Sequence, residues 1–356
     1  MSRNKILYVT PSMQSFVKSD VRMLSKYFTV RVINQPWGDK RLAPFNFIAQ
    51  FFDMLFSIFG AKFILVNFGG YWAFWATILG KAFGKKVFIV THGTDCAAIP
   101  EINYGSLRIP LLKRICKFSY TRADAIFPVS ESLIETELLF DPVITSRKQG
   151  LLFHFPELKV PIETIYNGLD ESQWTLPEKP DRITNSFLAV MSPSQFKLKG
   201  GDLIIEIARE YPNCSFYFAG IQAAEINQKS SANVHFLGFL SPEELLEWYQ
   251  KSEFYFQLSS FEGFGCALCE AMLCGAIPIG SNSNHIPKIV GKSGFIIPQK
   301  SLKAAIPIVD KALSSVNKDL LSINSRLQVQ ANYSIALREQ KLIAALERFT
   351  GKSYTN

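Results

Sequence analysis

A chain of 356 residues, 48% hydrophobic and only 19% charged, is long enough for two domains and apolar enough to fill both cores. This composition excludes a disordered chain, a collagen and a small disulfide-stapled scaffold. The formal net charge is +8, and it is unevenly spread: residues 1–170 hold 20 Lys/Arg against 13 Asp/Glu, together with 18 of the 30 Phe. A basic, aromatic half suits an anionic partner, such as a phosphorylated acceptor or a peripheral contact with an anionic membrane. The Lys and Arg are too dispersed for a nucleic-acid-binding element, so no nucleic acid is expected.

In chain order, Ile6–Thr10 reads as a buried strand. It is too short for the apolar region of an export signal and runs into Pro11, so the expectation is a cytoplasmic protein with its six Cys reduced. Further strands are expected at 29–34, 63–67, 87–91, 125–129 and 163–166. A second set follows at 187–191, 215–219, 234–236, 254–258, 277–281 and 294–297. Many are short apolar runs without alternation, as parallel strands covered on both faces require. Phe63 to Gly80 lacks charge over 18 residues, but Asn67-Phe68-Gly69-Gly70 interrupts it, so it reads as strand–turn–helix rather than a membrane span. The apolar stretch 42–59 reads as a packed helix, with a flat contact on a bilayer as the alternative.

Amphipathic helices are expected at 201–211 and 241–251. The latter begins with an N-cap Ser, a Pro at the first position and acids in the first turn. The polar, Pro-containing stretch 170–185 reads as a linker. A last helix is expected from Ser334 to Phe349. Alternation of strand and helix in both halves means two doubly wound α/β domains, with ligands at the carboxyl ends of the strands.

The chemistry-bearing segment follows the strand at 254–258: Ser259-Ser260-Phe261-Glu262-Gly263-Phe264-Gly265-Cys266-Ala267-Leu268-Cys269-Glu270. Gly263 and Gly265 allow close backbone approach, and a helix N-terminus there offers N–H groups to a phosphate. Carboxylates at Glu262 and Glu270 suit the vicinal hydroxyls of a sugar or ribose. The loop alone therefore points to a nucleotide-sugar.

Glu262 to Glu270 is similar to the E-x7-E signature of retaining glycosyltransferases of the GT-B fold, family 4 (glycosyl transferases group 1). Ile165-Tyr166-Asn167-Gly168-Leu169-Asp170, Lys199-Gly200-Gly201-Asp202-Leu203-Ile204, Asn233-Val234-His235-Phe236-Leu237-Gly238 and Thr91-His92-Gly93-Thr94-Asp95 resemble four more of its motifs, in the same order. The resemblance covers nearly the whole chain. It implies an α/β GT-B architecture of two Rossmann-like domains facing a central cleft. Residues 1–172 would form the acceptor-side domain, with 334–356 packing back on it, and 173–333 the nucleotide-sugar domain.

It further implies that Glu262 holds hydroxyls of the donor sugar and Glu270 the ribose. Backbone at Gly263, Phe264 and Gly265 would approach the sugar and diphosphate. Lys199 would neutralise the diphosphate, and His92 would reach the donor sugar, with Asp95 in the same cleft. Partners would be a nucleotide-diphosphate sugar and a glycan or lipid-linked acceptor.

The chain departs from the pattern in three places. Met191-Ser192-Pro193 stands where the family usually has an Arg, and Lys197 is expected to supply that charge. Residues 10–15 lack Gly, and Lys288 stands where a Glu is common. The missing Arg motivates the competing reading of a non-catalytic, glycosyltransferase-like subunit. No Asp-x-Asp occurs in the chain, so no metal and no other cofactor is expected. Cys266, Cys269 and Cys274 read as buried helix, and His154, His235 and His285 as structural.

Overall fold

A computed structural model describes residues 4–354. The chain divides into two compact units. One comprises residues up to Thr136, Lys148–Gly168 and those from Ala336 onward; the other is Glu137–Arg147 with Leu169–Ile335. The second unit thus takes in residues 137–147, which the sequence reading leaves in the first domain.

The first unit alternates β1 (Asn4–Val9), α1 (Ser15–Leu24), β2 (Phe28–Ile33), α2 (Ala43–Ser57), β3 (Ala61–Asn67), α3 (Tyr71–Ala82), β4 (Lys86–Thr91), α4 (Pro110–Tyr120) and β5 (Ala125–Pro128). Its sheet is parallel, in the order β2-β1-β3-β4-β5. β1, β3 and β4 are almost wholly buried, which is why each reads as an unbroken apolar run. Two-residue strands β6 (Thr136–Glu137) and β7 (Lys148–Gln149) and the short helix α5 (Leu151–His154) follow.

The strand expected at 163–166 is absent, although this segment runs beside β5. Glu163 N–H donates to Ile126 O (3.0 Å) and Ile165 N–H to Pro128 O (3.0 Å). The next bond of a parallel ladder would need an N–H on Pro128, which has none. Pairing therefore stops at the single bridge Ile126–Ile162.

The second unit contains β8 (Ile183–Val190), α6 (Gly201–Glu210), β9 (Ser215–Ala219), β10 (Val234–Gly238), α7 (Pro242–Lys251), β11 (Ser252–Gln257), α8 (Cys266–Leu273), β12 (Ile277–Ser281), α9 (Ile286–Val290), β13 (Phe295–Ile297), α10 (Leu302–Leu313) and α11 (Lys318–Tyr333). Its parallel sheet has the order β10-β9-β8-β11-β12-β13. Phe187 of β8 stacks on Phe216, Phe254 and Phe256 at 4.9–5.0 Å and anchors the core. The Ser241–Glu244 capping box is present at the start of α7. β8 begins at Ile183, inside the expected linker.

The last helix, α12 (Ile335–Thr350), joins the first unit. Phe349 packs against Phe88 and Phe127 at 6.1 and 6.0 Å. Phe63 to Gly80 is indeed strand, turn and helix, and among the described residues no helix is long and apolar enough to cross a membrane.

Each sheet reverses strand order once: between β1 and β3 in the first unit, and between β8 and β11 in the second. In open α/β sheets the crevice beyond such a point takes the ligand.

Candidate functional site

The loops that leave β8 and β11 carry most of the expected donor residues. The β11 loop is fixed by its own backbone and by neighbours. Ser260 N–H donates to Leu198 O (2.8 Å), and Ser281 and Ser283 hydroxyls donate to Ser259 O (2.7 Å) and Ser260 O (3.0 Å). Phe264 is 2% exposed, stacked on His285 at 5.8 Å and edge-on to Tyr333 at 5.3 Å. Its side chain is therefore an anchor for the loop. Gly265 has φ +110 and caps α8, a conformation that side chains strain to adopt.

Glu262 is half-buried. Its Oε2 accepts from Gln257 Nε2 (2.8 Å) and Ser259 Oγ (3.2 Å), and its N–H donates to Asn284 Oδ1 (3.0 Å). The second carboxylate oxygen thus retains acceptor capacity. Glu270 lies about one turn into α8 and is 9% exposed. The Tyr249 hydroxyl donates to its Oε2 at 3.2 Å. Burial pushes the Glu270 carboxyl up to about 7, against the Tyr249 hydrogen bond and the attraction of Lys199, which both favour the anion.

This makes a pH prediction. Between its ordinary value of 4.5 and about 7, native Glu270 holds a proton that the unfolded chain has released. Stability contributed by this group is full below 4.5 and declines as pH rises through 7, by at most about 3 kcal/mol. Glu270→Gln removes this slope, as urea denaturation at stepped pH would record; an unchanged slope would refute the assignment.

Lys199 ends the loop after β8. Its Nζ donates to Val190 O at 3.1 Å and lies close enough to Glu270 to attract its charge. Gly200 follows with φ +72, and a Cβ there would meet Leu258 O at 2.5 Å. Only Gly lets this loop pack on the end of β11. Lys197 is exposed, and its carbonyl accepts from Lys300 Nζ at 3.2 Å. Where the family's Arg is missing, Ser192 and Gln195 form a capping box.

The first unit places His92 directly after β4. His92 Nε2 meets Asn67 Oδ1 at 2.9 Å, and its ring lies between Phe68 (4.3 Å) and Phe16 (4.7 Å). Asn67 Nδ2 donates to the Tyr8 hydroxyl, which donates to Asp20 Oδ2 at 3.3 Å. Arg338 grips Asp20 with Nε at 2.6 Å and Nη2 at 2.7 Å, and its Nη1 donates to Tyr166 O (2.7 Å) and Ile165 O (3.1 Å). Direction along this chain is set at its end, because Arg only donates and carboxylate only accepts. His92 Nε2 then carries the proton and Nδ1 is left as an acceptor. Desolvation, then repulsion from Arg338, hold His92 far below its usual pKa, so the ring is neutral.

Asp95 is fully buried and is a loop organiser. Its carboxylate accepts from the N–H groups of Gly69 (2.8 Å), His92 (3.0 Å) and Gly93 (3.0 Å) and from the Tyr120 hydroxyl (3.2 Å). It shapes the His92 turn from within instead of presenting its own oxygens.

Several residues were not singled out from sequence. Tyr249 comes from α7 and Asn284 from the β12–α9 loop. Asp141 accepts from Ser260 Oγ (2.6 Å) and pairs with Lys300 (3.1 Å), tying residues 137–147 to the β11 loop. No local pattern announces any of these. His154, His235 and His285 contact Gln149, Tyr217 and Tyr333, respectively, as structural side chains. Among the described residues, no three His, Cys, Asp or Glu converge as metal ligands.

The profile of the family "Glycosyl transferases group 1" matches residues 172–324. The serotype-specific mannosyltransferase WbdA of Escherichia coli is 26% identical over 209 residues, 55% of this chain and 25% of that protein. The chain therefore spans about a quarter of the length of such mannosyltransferase relatives. The N-acetyl-alpha-D-glucosaminyl L-malate synthase of Bacillus anthracis is 24% identical over 293 residues, 76% of this chain and 70% of that one. Among solved structures, Anabaena Alr3699/HepE in complex with UDP and glucose superposes with a TM-score of 0.71 at 14% identity, over 97% of this chain and 100% of that one. The sucrose-phosphate synthase of Thermosynechococcus elongatus gives 0.73 at 13%, over 98% and 100%. Both sheets have the doubly wound parallel order of these solved structures: the protein has the GT-B fold, and its residues 172–324 match the profile of glycosyl transferases group 1.

Proposed function

We propose that the protein is a retaining glycosyltransferase that moves a sugar from a nucleotide-diphosphate sugar to a glycan or lipid-linked acceptor, in the cytoplasm, for surface polysaccharide or glycoconjugate synthesis. The observation that carries this reading is the pair Glu262 and Glu270 around a Gly loop and the start of α8, with Lys199 beside Glu270. Each oxygen still able to accept suits a hydroxyl, and the helix start with Lys199 suits a diphosphate. Glu270 would take the ribose hydroxyls and Glu262 those of the sugar. Backbone N–H groups from Gly263 to Gly265 would line the diphosphate.

As the glycosidic bond breaks, negative charge grows on the leaving phosphate. Lys199, Lys197 and the α8 terminus would stabilise it without a metal, a preorganised donor contributing about 3–4 kcal/mol. Neutral His92 would accept a hydrogen bond from a sugar hydroxyl at Nδ1. No side chain is offered as covalent nucleophile: the acceptor would attack from the leaving-group face, its proton passing to the departing phosphate.

The test is a thermal-shift screen against UDP-, GDP- and ADP-sugars, with and without EDTA, on the wild type and Glu270→Ala. Saturating donor at a hundredfold its Kd stabilises by about 2.7 kcal/mol. The expected result is a shift with one nucleotide class, insensitive to EDTA and absent from the variant. No shift with any donor would overturn the reading in favour of a non-catalytic subunit, for which the missing Arg beside Ser192 already speaks.

A further inference from the structure

Helix α2 is inside out. A surface helix ordinarily turns its apolar stripe inward and its polar residues to water. Here three of the four buried residues are polar, Asn46, Gln50 and Ser57 beside Met54, while Phe45, Ile48, Phe52 and Phe56 are exposed, Phe45 and Phe56 by more than 70%. The exposed positions fall at i, i+3, i+7 and i+11, which is one face of the helix. Phe59 and Phe83 extend that face beyond the helix end, their rings 5.4 Å apart.

The orientation is held by specific bonds. Asn46 Nδ2 donates to Pro36 O (3.0 Å) and Gln50 Nε2 to Trp72 O (2.8 Å). Asp53 accepts from Arg31 (3.0 Å), Gln35 (3.3 Å) and the Ser57 hydroxyl (3.3 Å). Phe47 and Phe51 on the flank pack on Trp75 of α3 at 5.0 and 4.8 Å. Rolling the helix to hide the outer Phe side chains would break all of these, so the apolar face is presented to its surroundings by construction.

Charge decides what covers it. Residues 40–86 contain six Lys/Arg and one acid, Asp53. Asp53 is paired with Arg31, and the adjacent Asp124 is paired with both Lys81 and Lys86. Arg41 lies at one end of the helix and Lys62 at the other, both exposed. Asp39, exposed beside Arg41, accepts from the Arg41 N–H at 2.9 Å and is the one further acid at this end. An aromatic face with cations at its ends and Asp53 ion-paired matches the boundary between headgroups and acyl chains of an anionic bilayer.

We propose that α2 lies flat on an anionic membrane surface, with Phe45, Phe52, Phe56 and Phe59 inserted at the acyl boundary and Arg41 and Lys62 among lipid phosphates. At 1.5 Å per residue the helix offers a strip of roughly 20 Å. The surface belongs to the first unit alone and does not depend on the donor reading.

The test is sedimentation of the full chain with vesicles of phosphatidylcholine, with and without phosphatidylglycerol. Wild type should bind the anionic vesicles. Phe52→Glu with Phe56→Glu should lower the partition coefficient at least about tenfold; both side chains are exposed, so the thermal midpoint should not change. Lys62→Glu should weaken binding to anionic vesicles only, and Glu270→Ala should bind as wild type does. Failure of the wild type to bind, equal binding by the double variant, or a wild-type dimer that the double variant splits would each overturn the proposal, the last because a second copy would then cover the face.

Discussion

Arg338→Leu is expected to lower the stability of the first unit by about 3–5 kcal/mol, the range for removing one partner of a buried ion pair. Both side chains of the Arg338–Asp20 pair are only 2% exposed. The variant would leave the Asp20 carboxylate in the core facing only the Tyr8 hydroxyl, and would strip the carbonyls of Ile165 and Tyr166 of a donor. Lys at 338 should not rescue it, since one ammonium cannot span a bidentate carboxylate and two carbonyls. Asp20→Leu combined with Arg338→Leu should recover part of the loss by removing the stranded charge. Urea denaturation followed by circular dichroism reads this directly; a loss below about 1 kcal/mol would show that the pair is dispensable. The same variant releases the far end of the chain that orients Asn67 and His92. A nitrogen-detected NMR spectrum of the His92 ring, fixed as the Nε2–H tautomer in the wild type, should then show a mixture.

On the proposed function, Lys199→Ala is expected to reduce transfer by about 100- to 1,000-fold in kcat, the scale for removing one preorganised donor to developing charge. The fold should survive, because the side chain contributes one hydrogen bond, to Val190 O. A second readout separates a charge role from a packing role. Lys199 attracts the Glu270 carboxylate and lowers its pKa; without it, the pH above which Glu270 ionises should move upward. Lys199→Arg should restore much of that electrostatic effect. Lys197→Ala, at an exposed position, should cost less. An unchanged kcat in Lys199→Ala would remove Lys199 from the chemistry.

The doubly wound class was legible because parallel strands buried on both faces leave unbroken apolar runs, as in Phe63–Asn67 and Phe254–Gln257. Turns were legible where backbone geometry demands Gly, as at Gly200, directly after Lys199, and at Gly265, which separates the Glu262 loop from the helix that carries Glu270. The segment 163–166 misled because its composition is that of a strand, while the bond that would complete the ladder is lost at Pro128, far away in sequence.

By itself, then, the sequence determined the two α/β halves, the loops and the residue types available for chemistry, since these follow from local periodicity and backbone conformation. Tertiary structure alone decided what those residues experience. Burial raises Glu270, a reach across 318 positions of sequence pairs Asp20 with Arg338, and Asp95 is turned inward onto backbone amides. The same holds for α2: composition shows that it is apolar, but only hydrogen bonds to Pro36 and Trp72 determine which face looks out. Desolvation, long-range pairing and helix roll depend on neighbours brought together by folding, and no window of local sequence contains them.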